Sequence, residues 1–125
     1  MYADRRRAEF ERRGVARVPA VFAVKSVFRG RLQLGQAEDV ATGGLALRRP
    51  KDLPLTPGTA LSMTFALPGA STMLRVNVQV VSDRLVGTFR RTGVRFVGLA
   101  ADQQQHIGDY CRARQTPAYP TAMIA

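Results

Sequence analysis

The chain has 125 residues, a length that sets one domain as the expectation and suffices for a core without disulfide staples. Lys and Arg number 19 against 9 acids, a net charge of +10, which selects anionic partners: nucleotides, nucleic acid, acidic lipid or an acidic protein face. A single cysteine, Cys111, and a single histidine, His106, exclude an internal disulfide framework, a Cys-x-x-Cys knuckle and a multi-histidine metal site.

Residues 1–17 are polar, with arginines at 5, 6, 7, 12, 13 and 17 against Asp4, Glu9 and Glu11. Phe10 is the only large apolar residue between Tyr2 and Val15, so this segment builds no core of its own. It carries no apolar stretch behind its charges and does not read as a secretory signal. No apolar run elsewhere approaches the ~20 residues of a membrane span. A cytoplasmic protein is the expectation.

From Val18 the character changes. "VPAVFAVKSVF" is rich in valine and phenylalanine and predicts a strand with Pro19 at its start. "RLQLGQAEDV" alternates with a period of two, "TGG" is a turn, and "LALRR" is a short strand after it. "RPKDLPLTPG" carries three prolines and reads as a loop. "ALSMTFAL" predicts a strand with Leu61, Met63, Phe65 and Leu67 on one side. "MLRVNVQVVSD" predicts another, with Leu74, Val76, Val78 and Val80 inward and Arg75, Asn77 and Gln79 outward. After "RLVGTFRRT", "GVRFVGL" is a closing strand, with Val94 and Phe96 on one face and Arg95 on the other. In "ADQQQHIGDYCRAR" the period becomes helical at Ile107, Tyr110, Cys111 and Arg114, with Asp102 and Gln105 spaced as a capping box. "QTPAYPTAMIA" trails off with two prolines. Six or seven short strands and a late helix predict a mainly β fold, a small closed barrel.

Catalytic chemistry finds few supports. His106 sits in the predicted helix beside no nucleophile, where a solvated histidine is the plain reading. Cys111 reads as a small buried hydrophobe packing the helix on the barrel. The nine acids are scattered, and no Gly-rich phosphate loop of the Walker or Rossmann type is present. The chain is not expected to be an enzyme or to hold a metal or cofactor. Nucleic acid is disfavoured too, because Phe22, Phe65 and Phe96 fall at core positions and offer no stacking platform.

The arginines are more informative. Guanidinium groups grip phosphate bidentately, stay charged and stack on flat bases. Arg13 and Arg17 are four apart just before the first strand, with Arg12 beside them. Asp39 follows about twenty residues later. Its carboxylate can accept from a guanine Watson–Crick edge or orient an arginine. Gly43 and Gly44 permit a tight turn and a close approach to the backbone. Taken singly, the arginines are also compatible with a solvated basic tail and the turn with an ordinary hairpin.

Together, Arg13-Gly14-Val15-Ala16-Arg17 and Asp39-Val40-Ala41-Thr42-Gly43-Gly44 resemble the RxxxR and [D/N]xSxxG pair of PilZ domains, small barrels that bind cyclic di-GMP. The resemblance covers about residues 11 to 114, including "GVRFVGL" before the helix. It implies an antiparallel six- to seven-stranded barrel over 11–114 with a C-terminal helix, a flexible basic arm at 1–10 and a flexible tail at 115–125. It implies a receptor or adaptor that changes its surface on binding cyclic di-GMP and so regulates an unidentified downstream protein. Arg13 and Arg17 would hold phosphates and guanine, Asp39 would contact guanine, and Gly44 would allow close approach. Arg12 points to an intercalated ligand pair. Arg5, Arg6, Arg7, Gly43 and Arg95 are secondary candidates. The serine of the motif is Ala41 here, a loss that weakens binding by the ~0.5–1.5 kcal/mol of one neutral hydrogen bond. A ligand-silent interaction module of the same family is the alternative that Ala41 motivates.

Overall fold

A computed structural model describes residues 17–115. It contains six strands: β1 (Val18–Phe28), β2 (Arg31–Ala41), β3 (Gly44–Pro50), β4 (Ala60–Phe65), β5 (Leu74–Val86) and β6 (Phe89–Val97), followed by helix α1 (Ala101–Gln115). The strands close into an antiparallel barrel in the order β1-β2-β3-β6-β5-β4, which leaves no sheet edge along its waist.

Strand periodicity builds the interior. On β1, Val18, Ala20, Phe22 and Val24 point inward, and on β5 Leu74, Val76, Val78 and Val80 do the same. Phe65 is buried between Phe22 and Phe96, with ring centroids at 5.3 and 6.4 Å. Each such side chain contributes roughly 1.5–3 kcal/mol by leaving water.

Two tight turns shape one end. Arg29 and Gly30, at φ 53° and 76°, link β1 to β2, the two positive values that a type I′ turn needs. Gly87 at φ 61° opens the turn from β5 to β6, where Val86 pairs with Phe89. The strands expected at "MLRVNVQVVSD" and "GVRFVGL" thus extend into "RLVGTFRRT", to Val86 and from Phe89. The segment belongs to one long hairpin that overhangs the barrel.

The β1–β2 hairpin likewise runs past its neighbour β3, where pairing stops at Gln36, and this explains Leu32 and Leu34. The strand is as expected, but both leucines point out and are 62% exposed, while Gln33 turns in to meet Arg49. Arg49 itself is buried. It donates to Asp83 at 3.4 Å, to the Thr92 hydroxyl at 3.2 Å, to Gln33 at 2.9 Å and to the Leu53 carbonyl at 2.7 Å. Asp83 in turn accepts from the Leu55 N–H and from Arg90, both at 3.0 Å. This cluster ties the proline-rich loop to the barrel end. Burial pulls the Arg49 guanidinium below its usual pKa; Asp83 opposes the shift and Arg90 adds to it.

Helix α1 packs on β1 and β2 through Ile107 and Cys111, both buried. Its start lies two residues before the expected one. Gln103 accepts from the Ala100 N–H at 3.0 Å, the back-reaching half of a capping box, so Asp102 sits inside the first turn instead of capping it. Burial pushes the Cys111 thiol up from its ordinary pKa against the opposing charge of Arg112. His106 is exposed on the helix.

Candidate functional site

The site forms where β2 ends and β3 begins. A strand alternates its faces, yet Glu38 and Asp39 both lie toward the outside between buried Ala37 and Val40. The cause is a β-bulge: Ala37 pairs with Leu47 and Asp39 with Ala46, so β2 carries one residue more than β3. Two adjacent carboxylates therefore share one surface.

Guanidiniums converge on them from two directions. Arg17, just before β1, donates to both oxygens of Asp39 at 3.2 and 3.3 Å. Arg91, outward on β6, donates to Asp39 at 3.2 Å and also pairs with Glu38. Arg48 closes the row on Glu38 at 3.4 Å and stacks over the Phe89 ring at 4.0 Å. The Arg17 side chain stays half exposed and that of Asp39 is 18% exposed. Pairs this wet are worth ~0–1 kcal/mol each and exchange partners readily.

Thr42 and Gly43 make the turn, and Ala41 pairs with Gly44 across it. The two glycines have different reasons. A Cβ on Gly44 would lie 2.0 Å from the Val94 carbonyl oxygen, so the neighbouring strand itself forbids a side chain there. Gly43 faces open space on its side-chain side, and its carbonyl accepts from the Phe96 N–H at 2.8 Å. The bare backbone open to an incoming group is that of Gly43. Arg95 pairs with Gly44 across β3 and β6, and its guanidinium is drawn onto Gln79 on β5. A cavity of about 470 Å³ opens beside the turn, with Phe96 and Leu99 as apolar walls and Thr42, Gln104 and Arg112 as polar ones.

Of the residues singled out in the sequence, the structure brings together Arg17, Asp39, Ala41, Gly43, Gly44 and Arg95. Arg12 and Arg13, with Arg5, Arg6 and Arg7, lie outside the described residues. Sequence reading missed Arg91, Glu38 and Gln79. The signal for Arg91 was present, since "RTGVR" sets it four residues before Arg95 on the same strand face. The bulge that turns out Glu38 carries no such signal. Among the described residues, no cluster of histidine, cysteine and acids could hold a metal ion, and no helix is long and apolar enough to cross a membrane.

A closed six-stranded barrel with a helix across one side defines the class, a small antiparallel β-barrel module. The profile of the PilZ domain matches residues 5–113, and the chain belongs to that family. PilZ domains are binding and adaptor modules rather than enzymes. Among solved structures, the chain is similar to the inhibitor of motility of Bacillus subtilis (MotI/DgrA), with a TM-score of 0.72 at 21% identity over 80% of this chain and 49% of that one. It is similar to Escherichia coli YcgR in complex with c-di-GMP, with a TM-score of 0.69 at 14% identity over 85% of this chain and 47% of that one. The PilZ domain of YcgR with c-di-GMP gives a TM-score of 0.66 at 14% identity, covering 87% of this chain and 95% of that domain. The chain thus spans about half the length of the first two proteins. Comparison with curated protein sequences gives no match.

Proposed function

We propose that this protein is a cyclic di-GMP receptor acting in the bacterial cytoplasm, and that ligand binding changes one surface to regulate a partner protein. The observation that carries the reading is Asp39 held between Arg17 and Arg91 beside the open backbone of Gly43, in a chain of the PilZ family. In the free protein the carboxylate occupies the arginines. An arriving phosphate offers Arg17 a second anion, and Asp39 is released to accept from guanine N1–H and N2–H₂. Arg95 lies on the Gly44 rung and reaches the same ligand by leaving Gln79. The cavity walled by Phe96 and Leu99 has room for a flat ring.

In this reading residues 1–10 are a basic arm, 11–114 the binding domain and 115–125 a tail. Arg12, Arg13 and Arg17 supply phosphate and base contacts, Arg5 to Arg7 add to the field, and Arg12 favours an intercalated ligand pair. The step is binding, with no bond made or broken.

Calorimetric titration of cyclic di-GMP into the wild type, Arg13→Ala and Arg17→Ala, with GTP as control, tests this reading and gives the stoichiometry. Saturable wild-type binding that either substitution abolishes supports it. A folded wild type that gives neither heat nor a thermal shift would leave the ligand-silent adaptor, the reading that Ala41 at the motif's serine position favours.

A further inference from the structure

A second surface lies at the other end of the barrel. The β2–β3 pairing stops at Gln36 and Arg48, so the β1–β2 hairpin runs on past its neighbour. On the outer face of this overhang Val27 pairs with Leu32, and Lys25 with Leu34, on neighbouring rungs. Val27 is 43% exposed, and Leu32 and Leu34 are 62% exposed. Single exposed aliphatics are ordinary, but three that adjoin across two strands mark a contact surface. Every charged residue of the overhang is cationic, Lys25 on the face itself and Arg29 and Arg31 at the tip, while β4 flanks it with uncharged Ser62 and Thr64. No acid occurs between Val18 and Ala37, and Lys25 makes no ion pair among the described residues.

We propose that this hairpin face docks a partner protein that presents a carboxylate to Lys25 and aliphatic side chains to the adjoining Val27, Leu32 and Leu34. The reading rests on the protein acting through a partner and is independent of nucleotide binding. Charge and position choose the occupant. A second copy docking through the same face would bring the same cations and be repelled, and any other approach would bring two chains of net charge +10 together. A nucleic acid would find no aromatic ring on which to stack its bases. A bilayer tolerates cations at the rim of an apolar patch, but here Lys25 sits beside Leu34 and would have to lose its water in hydrocarbon. A protein carboxylate supplies the missing anion, and burying the adjoining aliphatics against the partner would keep water from one side of the pair.

The test is selection of a displayed random-peptide library on the full-length protein, followed by titration of the winners into ¹⁵N-labelled protein. Peptides that combine an acid with aliphatic neighbours, and that shift the amides of residues 25–34, are the expected result. Lys25→Glu should weaken them by roughly tenfold or more, and Leu32→Ser/Leu34→Ser should do the same. Arg114→Glu on the helix makes the same change in net charge and should leave them nearly unaffected. Equal losses from Lys25→Glu and Arg114→Glu would reduce the effect to overall charge and overturn the proposal. So would peptides that map elsewhere, or phosphatidylglycerol vesicles that bind through Leu34 where peptides do not. Cyclic di-GMP titration of Leu32→Ser/Leu34→Ser separates the two readings: the variant keeps any nucleotide binding while losing the peptide.

Discussion

Two aspartates in this barrel each hold two arginines, and they do opposite things with them. Asp83 binds Arg49 and Arg90 with its side chain 2% exposed. Asp39 binds Arg17 and Arg91 with its side chain 18% exposed. At Asp83 the fold supplies every other polar partner: Thr92 and the Leu55 N–H donate to the carboxylate, and Gln33 and the Leu53 carbonyl accept from Arg49. Around Asp39 the arginines stay in contact with water, the Arg17 side chain 50% and that of Arg91 33% exposed. Identical chemistry gives a fixed joint where water is excluded and an exchangeable contact where it is not. Burial separates the arginine locked into the fold from the one whose contacts can exchange.

The comparison breaks most visibly at Asp83. Asp83→Ala leaves a buried guanidinium without its counterion and should cost about 3–5 kcal/mol in chemical denaturation. Asp39→Ala should cost no more than ~1 kcal/mol while removing nucleotide binding. If the two variants unfold at the same denaturant concentration, the distinction by burial is wrong. The glycines offer a second contrast. Gly44→Ala drives a methyl into the Val94 carbonyl and should cost about 1–3 kcal/mol in thermal or denaturant unfolding. Gly43→Ala, with open space beside it, should fold as the wild type does, within ~0.5 kcal/mol. Any loss of ligand in Gly43→Ala then reports contact rather than misfolding.

Smaller effects sharpen the picture. Ala41→Ser restores the hydroxyl of the family motif and should tighten cyclic di-GMP by about two- to tenfold in calorimetry. A weaker or unchanged affinity would remove the hydroxyl from the binding account. Cys111 gives the least. Its thiol pKa is raised in the folded state by burial, so its stabilising share is complete below the ordinary thiol value. It fades as pH climbs through the folded value, since the unfolded chain ionises first. Unfolding free energy should therefore decline above about pH 8.5, and Cys111→Ala should flatten that decline.

Much of this was legible in the sequence, for a specific reason. Period-two alternation in "LRVNVQVV" and "VPAVFAV" directly encodes which side meets the core, and those strands form where expected. Arg17, Asp39 and the glycines at 43 and 44 were legible because two hairpins, β1–β2 and β2–β3, fix their spacing. Leu32 and Leu34 show the limit. Alternation tells that faces differ, not which face is inside, and on an overhanging hairpin the usual sign reverses. The bulge at Glu38 adds one residue without marking itself by composition. Arg49 was legible in principle, because it continues the inward parity of Leu45 and Leu47. Nothing local, however, reveals that Asp83, thirty-four residues away, waits for it.

The row from Arg17 through Asp39, Arg91 and Glu38 to Arg48 bears on how salt should act. Added ions loosen phosphate–arginine contacts, which ordinarily gives a steep fall in affinity. Here the same ions also loosen the carboxylates that the phosphate must displace. An anion entering this site exchanges with one already present, so its affinity should decline with ionic strength more gently than its number of arginine contacts would suggest. A site built on exchange keeps its discrimination across ionic conditions in which an open basic patch would lose it.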